Sequence, residues 1–227
     1  MKETLIELKD IQKYYPVGKE KFHVLKSINL EIKSGEFVMI MGKSGSGKTT
    51  LLNILGFLDR FSDGKYIFKD NDVTNLNEKE RSKFRNNNIG FVFQQFNLIT
   101  NLNIYKNVEL PMVYSNSYSK EERELIIKEK LNIVGILDKI NQKPLELSGG
   151  QQQRVTIARA LVNDPDIIFA DEPTGALDSD TSKDIMDILK GLNKKGKTII
   201  MVTHDPDLIK YATKIIKLKD GVVVEED

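Results

Sequence analysis

The chain has 227 residues, a formal net charge of +1, 40% apolar and 30% charged residues, and no cysteine. That length supports one sizeable core, or a core with a subdomain. The near-neutral balance excludes a protein that coats polyanions by bulk charge, so no nucleic-acid partner is expected. The lack of cysteine excludes disulfides, thiolate metal sites and cysteine nucleophiles.

The first residues, Met1 to Glu7, contain no uninterrupted apolar signal region. Leu5 to Leu8 alternates as a strand does, and Leu25 to Ile32 follows a turn near Gly18 as a second. Further apolar runs lie at Phe37–Met41, Ile89–Phe93, Ile167–Ala170, Thr198–Val202 and Ile215–Leu218. They are strand-sized, far short of the about 20 apolar residues a membrane-spanning helix needs. Near-continuous apolar strands indicate a sheet buried on both faces. Helical patterns lie between them at Thr49–Leu58, Gln151–Val162 and Thr181–Leu192. Strand–helix alternation predicts an α/β layered domain. The rhythm breaks between about residues 96 and 150. There the clearest helix starts at Ser119, with Glu122 completing a capping box and Leu125, Ile126, Leu131 and Val134 on one face. This stretch is predicted to be an inserted helical subdomain within one domain spanning 1–227, with the core and an N-terminal β subdomain in 1–95 and 151–227.

Three motifs carry chemistry. Gly42-Lys43-Ser44-Gly45-Ser46-Gly47-Lys48-Thr49 follows an apolar strand and opens a helix, the context a phosphate loop requires. Its glycines let backbone N–H groups reach phosphate oxygens, the helix start adds a favourable dipole, Lys48 supplies a point charge and Thr49 a hydroxyl for Mg²⁺. Thr50 follows directly. The strand Ile167–Ala170 ends in Asp171, placed to hold Mg²⁺, and Glu172, suited to polarise an attacking water. Ser148-Gly149-Gly150-Gln151 begins a helix and forms a second anion site. Two phosphate sites in one chain need not face each other, whereas head-to-tail pairing of two copies sets each against the other copy's partner site. Of two histidines, His23 reads as exposed, while His204 directly follows an apolar strand, where α/β sheets place functional groups.

With these motifs in this order, the sequence resembles the ABC ATPase family along essentially its whole length. The resemblance implies a P-loop NTPase core with an N-terminal antiparallel β subdomain and an inserted α-helical subdomain. It further implies that Tyr15, with Tyr14 as rival, stacks on adenine, and that Gln94, more than Gln95, reaches Mg²⁺ and the water. On the same basis Asp178 communicates across a dimer and His204 contacts the γ-phosphate. Lys143 and Thr156 depart from the residues usual at their positions, without touching the chemistry. Lys48 and Ser148 stand 100 positions apart without sustained heptads, which excludes the coiled-coil members. Asn193-Lys194-Lys195-Gly196 lacks the aspartate of a guanine-reading motif.

The segments Asn53–Asp59, Gly90–Leu98, Asn107–Pro111 and Asp171–Asp178 are similar to the MacB/LolD-type branch. That resemblance implies an ATP- and Mg²⁺-dependent homodimer at the cytoplasmic face of a bacterial membrane. It would drive a separate permease with an extracytoplasmic domain in drug or peptide export, antimicrobial peptide resistance or lipoprotein release. Phe96, Leu98, Ile99 and Leu102 are candidate docking contacts and equally candidate core residues. The competing expectation is a soluble ATP-switched regulator without a transporter.

Overall fold

A computed structural model describes residues 3–115 and 118–224. In chain order the elements are β1 (Thr4–Val17), β2 (Glu20–Lys33), β3 (Phe37–Met41), α1 (Lys48–Leu55), β4 (Asp63–Phe68), β5 (Asn71–Asp72), α2 (Glu78–Asn88), β6 (Ile89–Phe93), α3 (Ile104–Ser115), α4 (Lys120–Ile133), α5 (Gly149–Leu161), β7 (Ile167–Asp171), α6 (Ser179–Lys194), β8 (Thr198–Val202), β9 (Lys214–Lys219) and β10 (Val222–Val224). Short 3₁₀ turns lie at Leu137–Lys139, Pro144–Glu146 and Pro206–Tyr211. Among the described residues, no helix is long and apolar enough to cross a membrane.

The contacts divide the chain into two units, one of residues up to Ser82 together with those from Asn193, the other Lys83–Leu192. In the first, β1 and β2 form an antiparallel pair turning at Gly18, and β4 and β5 extend it in the order β2-β1-β4-β5. The same unit holds β3 paired in parallel with β8 on one side and β9 on the other, with β10 antiparallel to β9. Phe37 to Ile40 and Thr198 to Val202 are buried at every position, as strands covered on both faces must be. In the second unit β6 and β7 pair in parallel, with Phe93 opposite Asp171. Helix α5 packs so closely on β6 that a Cβ on Gly90 would lie 2.4 Å from the Ala160 carbonyl oxygen.

The capping box predicted at Ser119 is present: Ser119 Oγ accepts from the Glu122 N–H and the Glu122 carboxylate accepts from the Ser119 N–H. The face predicted for this helix needs correction. Leu125 is 70% exposed, and Ile127, Leu131 and Val134 form the buried stripe, at i, i+4 and i+7. His23 is also corrected. It is half-buried, stacked on Tyr14 at 4.1 Å between ring centroids, with Nε2 2.8 Å from Gln12 Oε1.

Candidate active site

The phosphate loop leaves β3 and enters α1 through Gly47, whose φ of +100° lies in the left-handed region that favours glycine. A Cβ there would also stand 2.9 Å from Leu25 Cδ2. Lys48 turns its ammonium back across the loop, donating to the carbonyls of Gly42 at 2.8 Å and Lys43 at 2.9 Å. The Ser46 hydroxyl beneath is buried and has no hydrogen-bond partner among the described residues. Ser44, Gly45 and Thr49 are exposed. Because Ile40 pairs with Val202, Gly42 and His204 each leave the same carboxyl edge of the parallel β3/β8 pair, two residues beyond it. His204 is exposed, while Thr203 before it is buried and accepts from the Asp205 N–H.

Tyr15 belongs to the same unit. Its hydroxyl donates to Asp59. Lys13, only 7% exposed, donates to Asp59 at 2.8 Å, and its ammonium stands 4.4 Å from the centre of the Tyr15 ring. Burial raises the Tyr15 hydroxyl above its ordinary pKa, and the Asp59 carboxylate adds to that. Burial alone would raise Asp59 too. The bonds it accepts from Lys13, Tyr15 and the Arg60 N–H outweigh burial and hold it below the usual carboxylate value. Tyr14, the rival for adenine, stacks on His23. No spacing or motif pairs Lys13 with Asp59. A lysine and an aspartate 46 positions apart carry no local signal.

The second unit gathers the other groups. Since Phe93 pairs with Asp171, Gln94 and Glu172 leave neighbouring strands at the same edge. Gln94 reaches over the turn after β7, where a Cβ on Gly175 would stand 2.9 Å from its Nε2. Glu172 adopts φ +45°, uncommon for a residue with a side chain. At α5 the predicted helix start is one of reciprocal caps. Ser148 Oγ accepts from the Gln151 N–H and Gln151 Oε1 accepts from the Ser148 N–H. The first-turn N–H groups lack partners within the helix and carry its positive dipole end. Gly150 is required by crowding, because a Cβ there would lie 2.2 Å from Thr181 Cγ2. Asp178 caps α6, accepting from the Thr181 N–H at 2.9 Å and the Thr181 hydroxyl at 2.7 Å, which keeps its carboxyl below the ordinary value. A cavity of about 420 Å³ lies beside Ser148, Gly150, Gln151, Arg154 and Thr181. Of the candidate docking residues, Ile99 is 47% exposed, and Phe96, Leu98 and Leu102 are half-buried.

Residues 25–175 match the family model described as ABC transporter. The chain is 55% identical over 221 residues to an uncharacterized ABC transporter ATP-binding protein, MJ1508, of Methanocaldococcus jannaschii, covering 97% of this chain and 98% of that one. It is 49% identical to the macrolide export ATP-binding/permease protein MacB of Chlorobium phaeobacteroides across 98% of this chain, which spans 34% of MacB. Among solved structures, the dimeric post-hydrolysis state of the ATP-binding cassette MJ0796 bound to ADP and Pi superposes with a TM-score of 0.89 at 48% identity, covering 98% of each chain. The chain belongs to the ABC transporter family and is an ABC ATPase domain that binds ATP. Within that family it is an ATP-binding cassette of the MacB/LolD type.

Proposed function

We propose that this chain is the ATP-hydrolysing subunit of a transporter, closing head-to-tail with a second copy around two ATP molecules to drive a separate permease. The observation that carries this reading is the presence of two glycine-bearing helix starts suited to anions, at Gly47–Thr49 and at Ser148–Gly150. The dimeric state of the MJ0796 cassette supports the pairing.

ATP is the substrate, and the loop suits its phosphates: a left-handed glycine at the helix start, an ammonium held at the loop mouth, and the buried, unpartnered Ser46 hydroxyl. Tyr15 offers a fixed ring to the base, and Gly42, Ser44, Gly45, Ser46, Gly47, Thr49 and Thr50 line the phosphate side. Thr49, Gln94 and Asp171 each offer an oxygen donor, the ligand type that suits Mg²⁺, and are the residues that would hold it. When bound, that ion neutralises charge on the β and γ phosphates. Glu172 orients and deprotonates the attacking water, assisted by Gln94, and His204 donates to the γ-phosphate oxygens, giving ADP and phosphate. From the other copy, Ser148, Gly149, Gly150 and Gln151 present hydroxyl and N–H donors to the same phosphates, and Asp178 relays closure between the copies.

The partner is read as a permease with an extracytoplasmic domain and the cargo as a drug, peptide or lipoprotein; similarity to MacB, a macrolide export ATP-binding/permease protein, supports a permease and export. On this reading the subunit works peripherally at the cytoplasmic face of a bacterial membrane, and antimicrobial peptide resistance is among the outcomes of its work. The purified chain should hydrolyse ATP only with Mg²⁺ present, and Glu172→Gln should lower that rate by about 10²–10⁴-fold. Tagged chain isolated from its native membranes should bring a permease with it. Full hydrolysis by the variant would remove Glu172 from its assigned role, and recovery only as a free protein would favour the soluble regulator.

A further inference from the structure

Gln153 and Thr156 are polar side chains with no exposed surface, each 0% accessible, three residues apart on α5. Every polar atom of the Gln153 amide is used. Nε2 donates to the Pro173 carbonyl at 2.8 Å and to the Phe93 carbonyl at 3.3 Å. Both partners can only accept, so the amide's NH₂ must face them and Oε1 must face the other way. There it meets the Thr156 hydroxyl at 3.2 Å, whose proton is shared with the Gln153 backbone carbonyl at 2.8 Å. Phe93 directly precedes Gln94, and Pro173 directly follows Glu172. One buried side chain therefore spans the roots of the two loops that present these groups. Helix α5 grips the first loop again further along, where Arg159 donates to the carbonyls of Asn97 at 2.7 Å and Phe96 at 3.0 Å.

We propose that Gln153, locked in orientation by Thr156, is a positioning residue that holds Gln94 and Glu172 in register with the signature helix. Displacement of Ser148–Gly150 at one end of α5 is thereby passed to both loops. An apolar residue of similar volume would fill the space equally well, so packing alone does not call for an amide there. The Thr156 hydroxyl has the same logic. It removes the second amide orientation, and without it Oε1 is a buried acceptor lacking a donor, the costly case. The proposal rests on the ATPase reading above and adds a residue pair that touches no reacting atom.

The test compares Thr156→Val, which keeps the shape and loses the hydroxyl, with Thr156→Ser, which keeps the hydroxyl. Steady-state ATP hydrolysis, ATP affinity and melting temperature are measured on the full chain. Thr156→Val should lower kcat by about 10-fold and Gln153→Ala by up to about 100-fold, the scale of small misplacements of reacting groups. ATP affinity should stay within about twofold, and Thr156→Ser should keep kcat within about twofold of the unmodified chain. Equal kcat for Val, Ser and the unmodified chain overturns the proposal. So does a fall in kcat that is matched in Thr156→Ser, or that tracks lost affinity and melting temperature, since packing alone would produce it. If Gln153→Ala does not fold, the two Thr156 variants decide. Absence of hydrolysis by the unmodified chain is a different result: it defeats the parent reading, and this proposal falls with it.

Discussion

At the scale of single residues, the Lys13–Asp59–Tyr15 cluster shows how a buried charge can orient an aromatic ring. Lys13 is nearly enclosed, so its ammonium needs the Asp59 carboxylate beside it. Asp59→Asn keeps an acceptor for the Tyr15 hydroxyl but leaves that ammonium unneutralised. A loss of about 1–2 kcal/mol at neutral pH is expected, discounted because Asp59 is partly exposed. The pH dependence follows from the sign of the shift. Asp59 has its folded pKa below the ordinary carboxylate value. The stability it contributes is therefore complete above the unfolded value of about 4 and is lost as pH falls through the folded one. Urea unfolding of Asp59→Asn and the unmodified chain should differ by a constant amount from pH 7 down to about 5. The two should converge in stronger acid, and a difference that persists unchanged there would contradict this assignment. Nothing in the sequence pairs Lys13 with Asp59. Tyr15 was legible only through the family pattern.

At the scale of elements, legibility followed periodicity. Strands β3, β6 and β8 have the predicted bounds because uninterrupted apolar runs leave no choice of face. Helix α2 is not legible because Glu78–Asn88 contains no apolar stripe, and the one residue it buries is Arg81, which donates to the Phe57 and Asp59 carbonyls. Helix α3 hid behind Pro111 in its interior and the buried Asn107 and Glu109. Asn107 alone closes four bonds onto Ile99, Leu102 and Asn103, which a hydropathy pattern cannot reveal. Helix α4 is legible from its cap, yet its buried stripe runs through Ile127 and leaves Leu125 exposed. Leu125→Glu should change stability by no more than about 0.5 kcal/mol, whereas Ile127→Ala should cost about 2–5 kcal/mol, as thermal or urea unfolding will show. The contact between α5 and α6 makes a paired prediction. Gly150→Ala drives a methyl against Thr181 Cγ2 and should cost about 1–3 kcal/mol. Thr181→Ser removes that methyl while keeping the hydroxyl bond to Asp178, so the double variant should recover most of the loss. No recovery would mean that the strain lies elsewhere.

At the scale of the whole molecule, the residues proposed to act on ATP are scattered from Tyr15 to His204, and their order along the chain was enough to expose the family. The phosphate loop, the acidic strand end and the signature were legible because each needs a fixed spacing of a few residues. The Gln153–Thr156 bridge was not, since its partners lie 60 and 20 positions away. The central claim is that the two anion sites act on one nucleotide only when two copies meet. The most direct measurement is the solution mass of Glu172→Gln by light scattering, with and without saturating ATP and Mg²⁺. The variant should move from the 25.8 kDa of one chain to twice that mass on adding ATP, and adding Gly150→Ala should return it to one. A variant that stays at one chain's mass while saturated with ATP would contradict the head-to-tail closure.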